Sequence, residues 1–232
     1  MMQQRALMGA TNSGGLVTSG LVAHFDAGNP ASYPGSGATY FNLVSGATNG
    51  TWNIVPTFDP TFGGHFVNNG TQFCSTSWHA SYPSGSQART ICMMHQVSSG
   101  GGNMSYIGSP GGATRWQLWM SGRYQCDSGG GTFQSSVTVP LNTWFYYCVT
   151  YPAGGLNTAI RMWQNGVDVS GTRGGSVFVM NTTQFLSPVG DSFSGATNQT
   201  PGRYALYHLY NRELTQAEIL QNFNALRGRF GI

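Results

Sequence analysis

The chain has 232 residues and a formal net charge of +3, with 7% of residues charged against a usual share of about 25%. All ten basic residues are arginine. The missing lysine excludes a Walker-type phosphate loop and any lysine nucleophile or Schiff base. The arginines are scattered rather than striped, which excludes nucleic-acid binding, and 13% aromatic content at low net charge excludes a disordered chain.

In chain order, residues 1–19 are rich in Gly, Ser, Thr and Asn, with Leu7, Leu16, Val17 and the methionines as their sizeable apolar groups and Arg5 as their one charge. They read as an extended N-terminal arm, too poor in apolar groups to fold alone and ordered by contact with another chain. A domain over 20–232 follows. The start holds no secretory core and no run reaches the roughly 18 apolar residues of a membrane helix. Synthesis in a cytosol is therefore expected, with Cys74, Cys92, Cys126 and Cys148 all free thiols.

Strands are predicted over Leu21–Asp26, Thr90–Val97, Arg115–Met120, Trp144–Tyr151, Ala159–Gln164, Ser176–Met180 and Tyr204–Tyr210. Each is short, aromatic or β-branched, and bounded by Gly, Pro, Asn or Ser. Asn165-Gly166 marks a two-residue hairpin turn. The glycine clusters at 99–102, 108–112, 128–131 and 171–175 read as loops. A capping box, Thr215 with Glu218, opens a helix over 216–227. Its stripe is Ile219, Leu220, Phe223 and Leu226, with Gly228 as the stop, and it docks on the sandwich rim. The sum is an all-β sandwich or jelly roll with one short C-terminal helix.

Glycoside hydrolysis needs two acids about 5–9.5 Å apart. The seven acids are Asp26, Asp59, Asp127, Asp168, Asp191, Glu213 and Glu218, and no two lie two apart on a strand. A Gly-x-Ser-x-Gly elbow is absent. Cys92 and His95 are three apart, hence on opposite strand faces, a buried thiol and an outward imidazole rather than a pair. His24 and His208 read as satisfied sheet histidines. Asp191 is the best single calcium candidate, but neither a metal nor a cofactor is expected. Trp116, Trp119 and Tyr124 are the candidate carbohydrate-binding residues, since an aromatic face can stack on a sugar. Trp116 and Trp119, three apart, should point to opposite faces.

The stretch from Gly20 to Gly37, beginning Gly20-Leu21-Val22-Ala23-His24-Phe25-Asp26-Ala27-Gly28-Asn29-Pro30, resembles the opening of laminin-G-like, concanavalin A-like jelly-roll domains of tailed-phage virion proteins. So does the close, Leu209-Tyr210-Asn211-Arg212-Glu213-Leu214-Thr215 and Glu218 to Gly231. Asn49-Gly50-Thr51 with Pro56-Thr57-Phe58, Trp144-Phe145-Tyr146 and Trp163-Gln164-Asn165-Gly166-Val167 are similar to intervening segments, so the resemblance covers about residues 20–231. The family's Phe-Asp-Gly-Thr-Asp-Asp-Tyr stretch is here Phe66 to Phe73 without its acids, and the paired acids of the related glucanases have no counterpart. The resemblance implies an all-β, two-sheet antiparallel jelly-roll sandwich, concanavalin A-like, with one short C-terminal helix, used for binding or assembly. Asp26 and Asn29 read structurally, as bonding turn amides, and Arg212 as tethering the helix.

The expectation is a non-enzymatic virion structural protein, a capsid decoration or cement protein or a fibre or tail component, made in the host cytoplasm and displayed on the particle exterior. Its partners are other virion proteins or copies of itself, with no nucleic acid and no membrane insertion. A lectin-like adhesion module that binds cell-surface glycans is the alternative, and a glycoside hydrolase is the disfavoured third.

Overall fold

The computed structural model describes residues 14–109, 114–128, 130–193 and 197–232. Two antiparallel sheets are stacked face to face. The strands in chain order are β1 (Leu21–Asp26), β2 (Thr39–Tyr40), β3 (Gly50–Trp52), β4 (Thr57–Asp59), β5 (His65–Asn68) and β6 (Cys74–Thr76). Then come β7 (Arg89–Val97), β8 (Gly102–Gly108), β9 (Arg115–Met120), β10 (Arg123–Asp127), β11 (Gly131–Thr138) and β12 (Trp144–Tyr151). The last are β13 (Arg161–Gln164), β14 (Val167–Asp168), β15 (Ser170–Gly175), β16 (Leu186–Val189) and β17 (Gly202–Tyr210), followed by helix α1 (Gln216–Phe230).

The eight-stranded sheet runs β14-β13-β12-β7-β17-β5-β4, with β1 also on β17; the nine-stranded sheet runs β15-β11-β10-β9-β8-β16-β6-β3-β2. Between them lies a core that includes Phe25, Phe66, Ile91, Met93, Trp116, Leu118, Tyr124, Tyr147 and Tyr207. The eight-stranded sheet is covered on its other face too. Cys92, Met94, Tyr146, Cys148, Trp163 and Leu206 pack there against Leu214, Ile219, Phe223 and Phe230. Buried on both faces, β7 and β12 show no alternation in burial. By contrast β10 alternates strictly, because the outer face of the nine-stranded sheet is open from β9 to β15, whereas β8 and β16 are buried on both faces.

The all-β sandwich stands as expected, and several finer expectations need correction. Ser176–Met180 is no strand; only Val179 makes an isolated bridge, to Leu156. The glycine cluster 171–175, expected as loop, lies within β15, whose backbone pairs with β11 without needing side chains. Asn165 and Gly166 have φ of 53° and 83°, the positive values that a type I′ turn requires. Thr215 and Glu218 form the capping box, but the helix runs through Gly228 and ends at Gly231, in the left-handed conformation at φ 69°. It docks on the covered sheet, not on a rim. Leu220 is 42% exposed, and Asn222 is buried on the packed face with Ile219, Phe223 and Phe230.

Asn222 explains a second correction. Its Oδ1 accepts from the Val17 amide at 2.8 Å and its Nδ2 donates to the Tyr210 hydroxyl at 2.9 Å. Tyr210 in turn donates to the Val17 carbonyl at 3.0 Å. Val17 is buried and Leu16 half-buried, so residues 14–19 belong to the folded domain and are not an arm awaiting a partner. Arg5 and Leu7 lie outside the described residues. The four-thiol expectation also fails: Cys92 and Cys148 sit directly opposite on β7 and β12 and form a disulfide, leaving Cys74 and Cys126 free and buried.

Candidate functional site

Side chains on adjacent strands that are cross-strand partners share a face. On the open face, Gln125 of β10 is partnered by Trp119 of β9 and by Gln134 of β11, and Trp119 by Asn103 of β8. A parallel row joins Tyr106, Gln117, Asp127, Thr132 and Gly174 across β8, β9, β10, β11 and β15. Their neighbours one position along, including Trp116, Leu118, Cys126 and Phe133, enter the core. The period-two pattern of the strands thus turns amides, a tryptophan and an ion pair to one face, where Trp119, Gln125, Asp127, Thr132 and Gln134 are half-buried while Asn103, Tyr106 and Gln117 are buried at its β8 side.

The three aromatic residues expected to hold a sugar are separated by that alternation. Trp116 and Tyr124 are fully buried between the sheets, where Tyr124 stacks on Tyr147 at 3.8 Å and bonds His95 Nε2 at 3.0 Å. They offer no face to a ligand, which corrects their proposed role. Trp119 alone of the three lies half-exposed on the open face. His95 is likewise not outward: it is buried in the core, where desolvation holds its pKa down at about 3 and keeps it neutral. His24 and His208 meet edge to face at 4.7 Å, and burial lowers both pKa values. Both are sheet histidines, as expected, but only partly satisfied: His208 Nδ1 pairs with the Tyr146 hydroxyl at 3.3 Å, while neither Nε2 has a partner among the described residues.

Several polar groups on and just under this face are fixed in advance. The Arg115 guanidinium bonds the Asp127 carboxylate at 2.5 and 3.4 Å, Gln117 Nε2 donates to Asn103 Oδ1, and Arg123 Nη1 donates to the Ser135 and Ser136 carbonyls at 3.1 and 2.6 Å. Tyr106 sits at one end of its row beside Phe193, 5.5 Å between ring centroids, and Phe193 is 45% exposed. Burial, with Asp191 adding, raises the Tyr106 phenol well above its ordinary pKa.

Asp191 accepts from the Phe193 amide at 2.8 Å and from Asn103 Nδ2 at 3.4 Å, while its own amide donates to Gln199 Oε1. It shapes a turn, and no group of three or more His, Cys, Asp or Glu converges for a metal among the described residues. The other acids are also engaged. Asp26 binds Arg229 in a fork and caps Gly28, as its turn role implied. Asp59 accepts from Thr61, Asp168 from the Ser170 amide, and Glu213 from Thr150. Glu218 takes both Arg212 nitrogens at 3.0 and 2.6 Å, and Arg212 also donates to the Ser19 carbonyl, tethering the helix. Sequence reasoning missed Asn103, Gln117, Gln125, Thr132 and Gln134. The signal was present in the alternation Arg123-x-Gln125-x-Asp127 and Thr132-x-Gln134.

A family model described as Concanavalin A-like lectin/glucanases superfamily matches residues 63–220, and the chain belongs to that superfamily. No curated protein sequence matches it. Among solved structures it is similar to Trypanosoma rangeli sialidase, at 13% identity and TM-score 0.65, over 92% of this chain and 34% of the sialidase, so it spans about a third of that enzyme. It is also similar to domain 4 of an extracellular arabinanase from Geobacillus stearothermophilus, solved with arabinotriose, at 15% identity and TM-score 0.60, over 87% of this chain and 97% of that domain. The binding domain of Paraclostridial Mosquitocidal Protein 1 matches at 12% identity and TM-score 0.64, over 89% of this chain and 52% of that one. These likenesses show a shared fold.

Proposed function

We propose that this domain is a non-catalytic carbohydrate-binding module whose ligand lies on the open face of the nine-stranded sheet. The row Trp119–Gln125–Gln134 carries the reading. An indole face can cover the apolar face of a sugar ring, and each glutamine amide offers both donors and acceptors to hydroxyls. Neither the Gln125 nor the Gln134 side chain is used within the described fold, whereas the acids that hydrolysis would need are each engaged in shaping it. The Geobacillus domain of like fold was solved with arabinotriose bound, which supports the class of ligand.

A second reading is a virion structural protein, such as a decoration, cement, fibre or tail component, touching other virion proteins or its own copies. It is favoured by the end motifs and by the exposed apolar residues Leu156, Val177 and Val179, 45%, 60% and 45% exposed, which lie outside the strands. Both readings suit display outside a reducing cytosol, where the Cys92–Cys148 bond persists.

Screening the wild type and Trp119→Ala on a glycan array decides between them. The sugar reading expects binding that Trp119→Ala weakens by about 30-fold, the size of a central aromatic contact. A wild type silent on every glycan that still attaches to particles would sink it in favour of assembly.

A further inference from the structure

The row of cross-strand partners ends at Gly174, on the edge strand β15. Its five members span four strand spacings of about 4.8 Å, so Gly174 lies roughly 19 Å from Tyr106. At that end is a depression of about 200 Å³ lined by Thr132, Gln134, Thr172, Arg173 and Gly174. A side chain at position 174 would share the open face with Thr132, its direct partner. A Cβ built there meets no atom within 4 Å. Glycine leaves this position open, and a Cβ would enter the space without contact.

The shape and chemistry suit one sugar ring. The volume is below the roughly 300–1,000 Å³ of sites that engulf a drug-sized ligand. Two threonines, an amide, Gly174 and Arg173 line it, with no carboxylate; Arg173 is the cross-strand partner of Phe133 and its guanidinium lies over that ring at 5.9 Å, so its charge is turned to the other face of the sheet. Gln134 is shared between this depression and the Trp119–Gln125–Gln134 row, so the two are continuous. We propose that the depression is a terminal subsite: it seats the end sugar of an extended neutral oligosaccharide that runs across the strands from β15 over Gln134 and Gln125 to Trp119. This rests on the carbohydrate-binding reading and adds to it a ligand length and an end.

The test is calorimetric titration of the best array hit as a series of increasing chain length, against wild type, Gly174→Phe and Thr172→Val. A phenylalanine fills the hollow and favours the extended backbone of a strand. Thr172→Val removes one hydroxyl at nearly constant shape. Wild type and Gly174→Phe should bind the shortest ligand alike. On extension the wild type should gain about tenfold, the size of one or two well-made hydrogen bonds. Gly174→Phe should lose that gain and Thr172→Val part of it. Trp119→Ala should weaken every length. If Gly174→Phe and Thr172→Val both follow the wild type at every length while Trp119→Ala still weakens binding, the subsite is refuted and the carbohydrate-binding reading stands. If the wild type binds no member of any series, that reading falls and the subsite with it. Should Gly174→Phe fail to fold, Thr172→Val decides alone by the presence or absence of its length-dependent loss.

Discussion

Reduction of the Cys92–Cys148 disulfide should destabilise the domain substantially, and the size follows from its place in the chain. The two cysteines are 56 residues apart. On the chain-entropy account, a cross-link closing a loop of that length removes about 14 cal/mol/K from the unfolded ensemble, or about 4 kcal/mol at 25 °C. For a domain of this size each kcal/mol moves Tm by roughly 2–4 °C, so a loss of about 10 °C is expected. Calorimetric scans of the oxidised protein and of protein reduced while unfolded, then refolded with reductant, give the comparison. Cys92→Ala with Cys148→Ala should fall at least as far, because it also empties buried volume under α1.

Thiol counting supplies the independent check. Denatured but unreduced protein should titrate two thiols, Cys74 and Cys126, and four after reduction. In the native state neither free thiol should react, since both are buried and desolvation pushes both thiol pKa values up. Four thiols in unreduced protein matured in an oxidising compartment would refute the pairing. Equal Tm values with and without the bond would refute the magnitude.

Glu218 sets an acid limit. The Arg212 guanidinium, then the Thr215 amide and hydroxyl, hold its carboxyl down at about 2 against the opposing effect of desolvation. A depressed folded-state pKa means that its contribution is present above the unfolded pKa and lost as pH falls through the folded one. The pair is partly exposed, at 30% and 27%, so about 1 kcal/mol is expected after solvent screening. Glu218→Gln should cost that amount at pH 7 and progressively less as pH falls from the unfolded value toward and through about 2; urea unfolding that gives a pH-independent difference would contradict it. Gly28→Ala should cost about 3 kcal/mol, because its Cβ would overlap the Gly63 carbonyl oxygen and the Arg229 guanidinium. A Tm within a degree of wild type would show that the 61–64 loop yields more easily than its contacts with Arg229 imply.

What was legible in the sequence was whatever depends on near neighbours. Thr215 and Glu218 are three apart, and their reciprocal bonds are local, so the helix start was readable. β1, β9 and β12 carry aromatic and β-branched residues between turn formers, and their limits were readable too. β15 was not, because Ser170-Gly-Thr-Arg-Gly-Gly has no side-chain preference for a strand and is held by backbone pairing with β11. The disulfide was hidden because it depends on the register of β7 against β12, which places Cys148 opposite Cys92. The tryptophan spacing correctly implied opposite faces for Trp116 and Trp119. Which one faced outward depended on the position of the second sheet, a tertiary fact.

That tertiary fact also limits where recognition can occur. α1 closes one sheet, with Ile219, Phe223 and Phe230 over Cys92, Cys148 and Trp163, so its broad outer surface is spent on stability. The open sheet is left with a surface whose polar groups rest on Trp116, Leu118, Tyr124 and Cys126 immediately beneath. Groups held this way lose little freedom on binding, and Arg115–Asp127 and Gln117–Asn103 are already locked to one another, which lowers the entropic cost of adding a ligand. A protein interface core would favour apolar and aromatic groups at such a centre. Here the centre is amides around one tryptophan, and the exposed Val177 and Val179 lie outside its strands. An uncharged ligand with many hydroxyls and one apolar face meets that arrangement better than a second protein does, which is why sugar binding stands ahead of assembly.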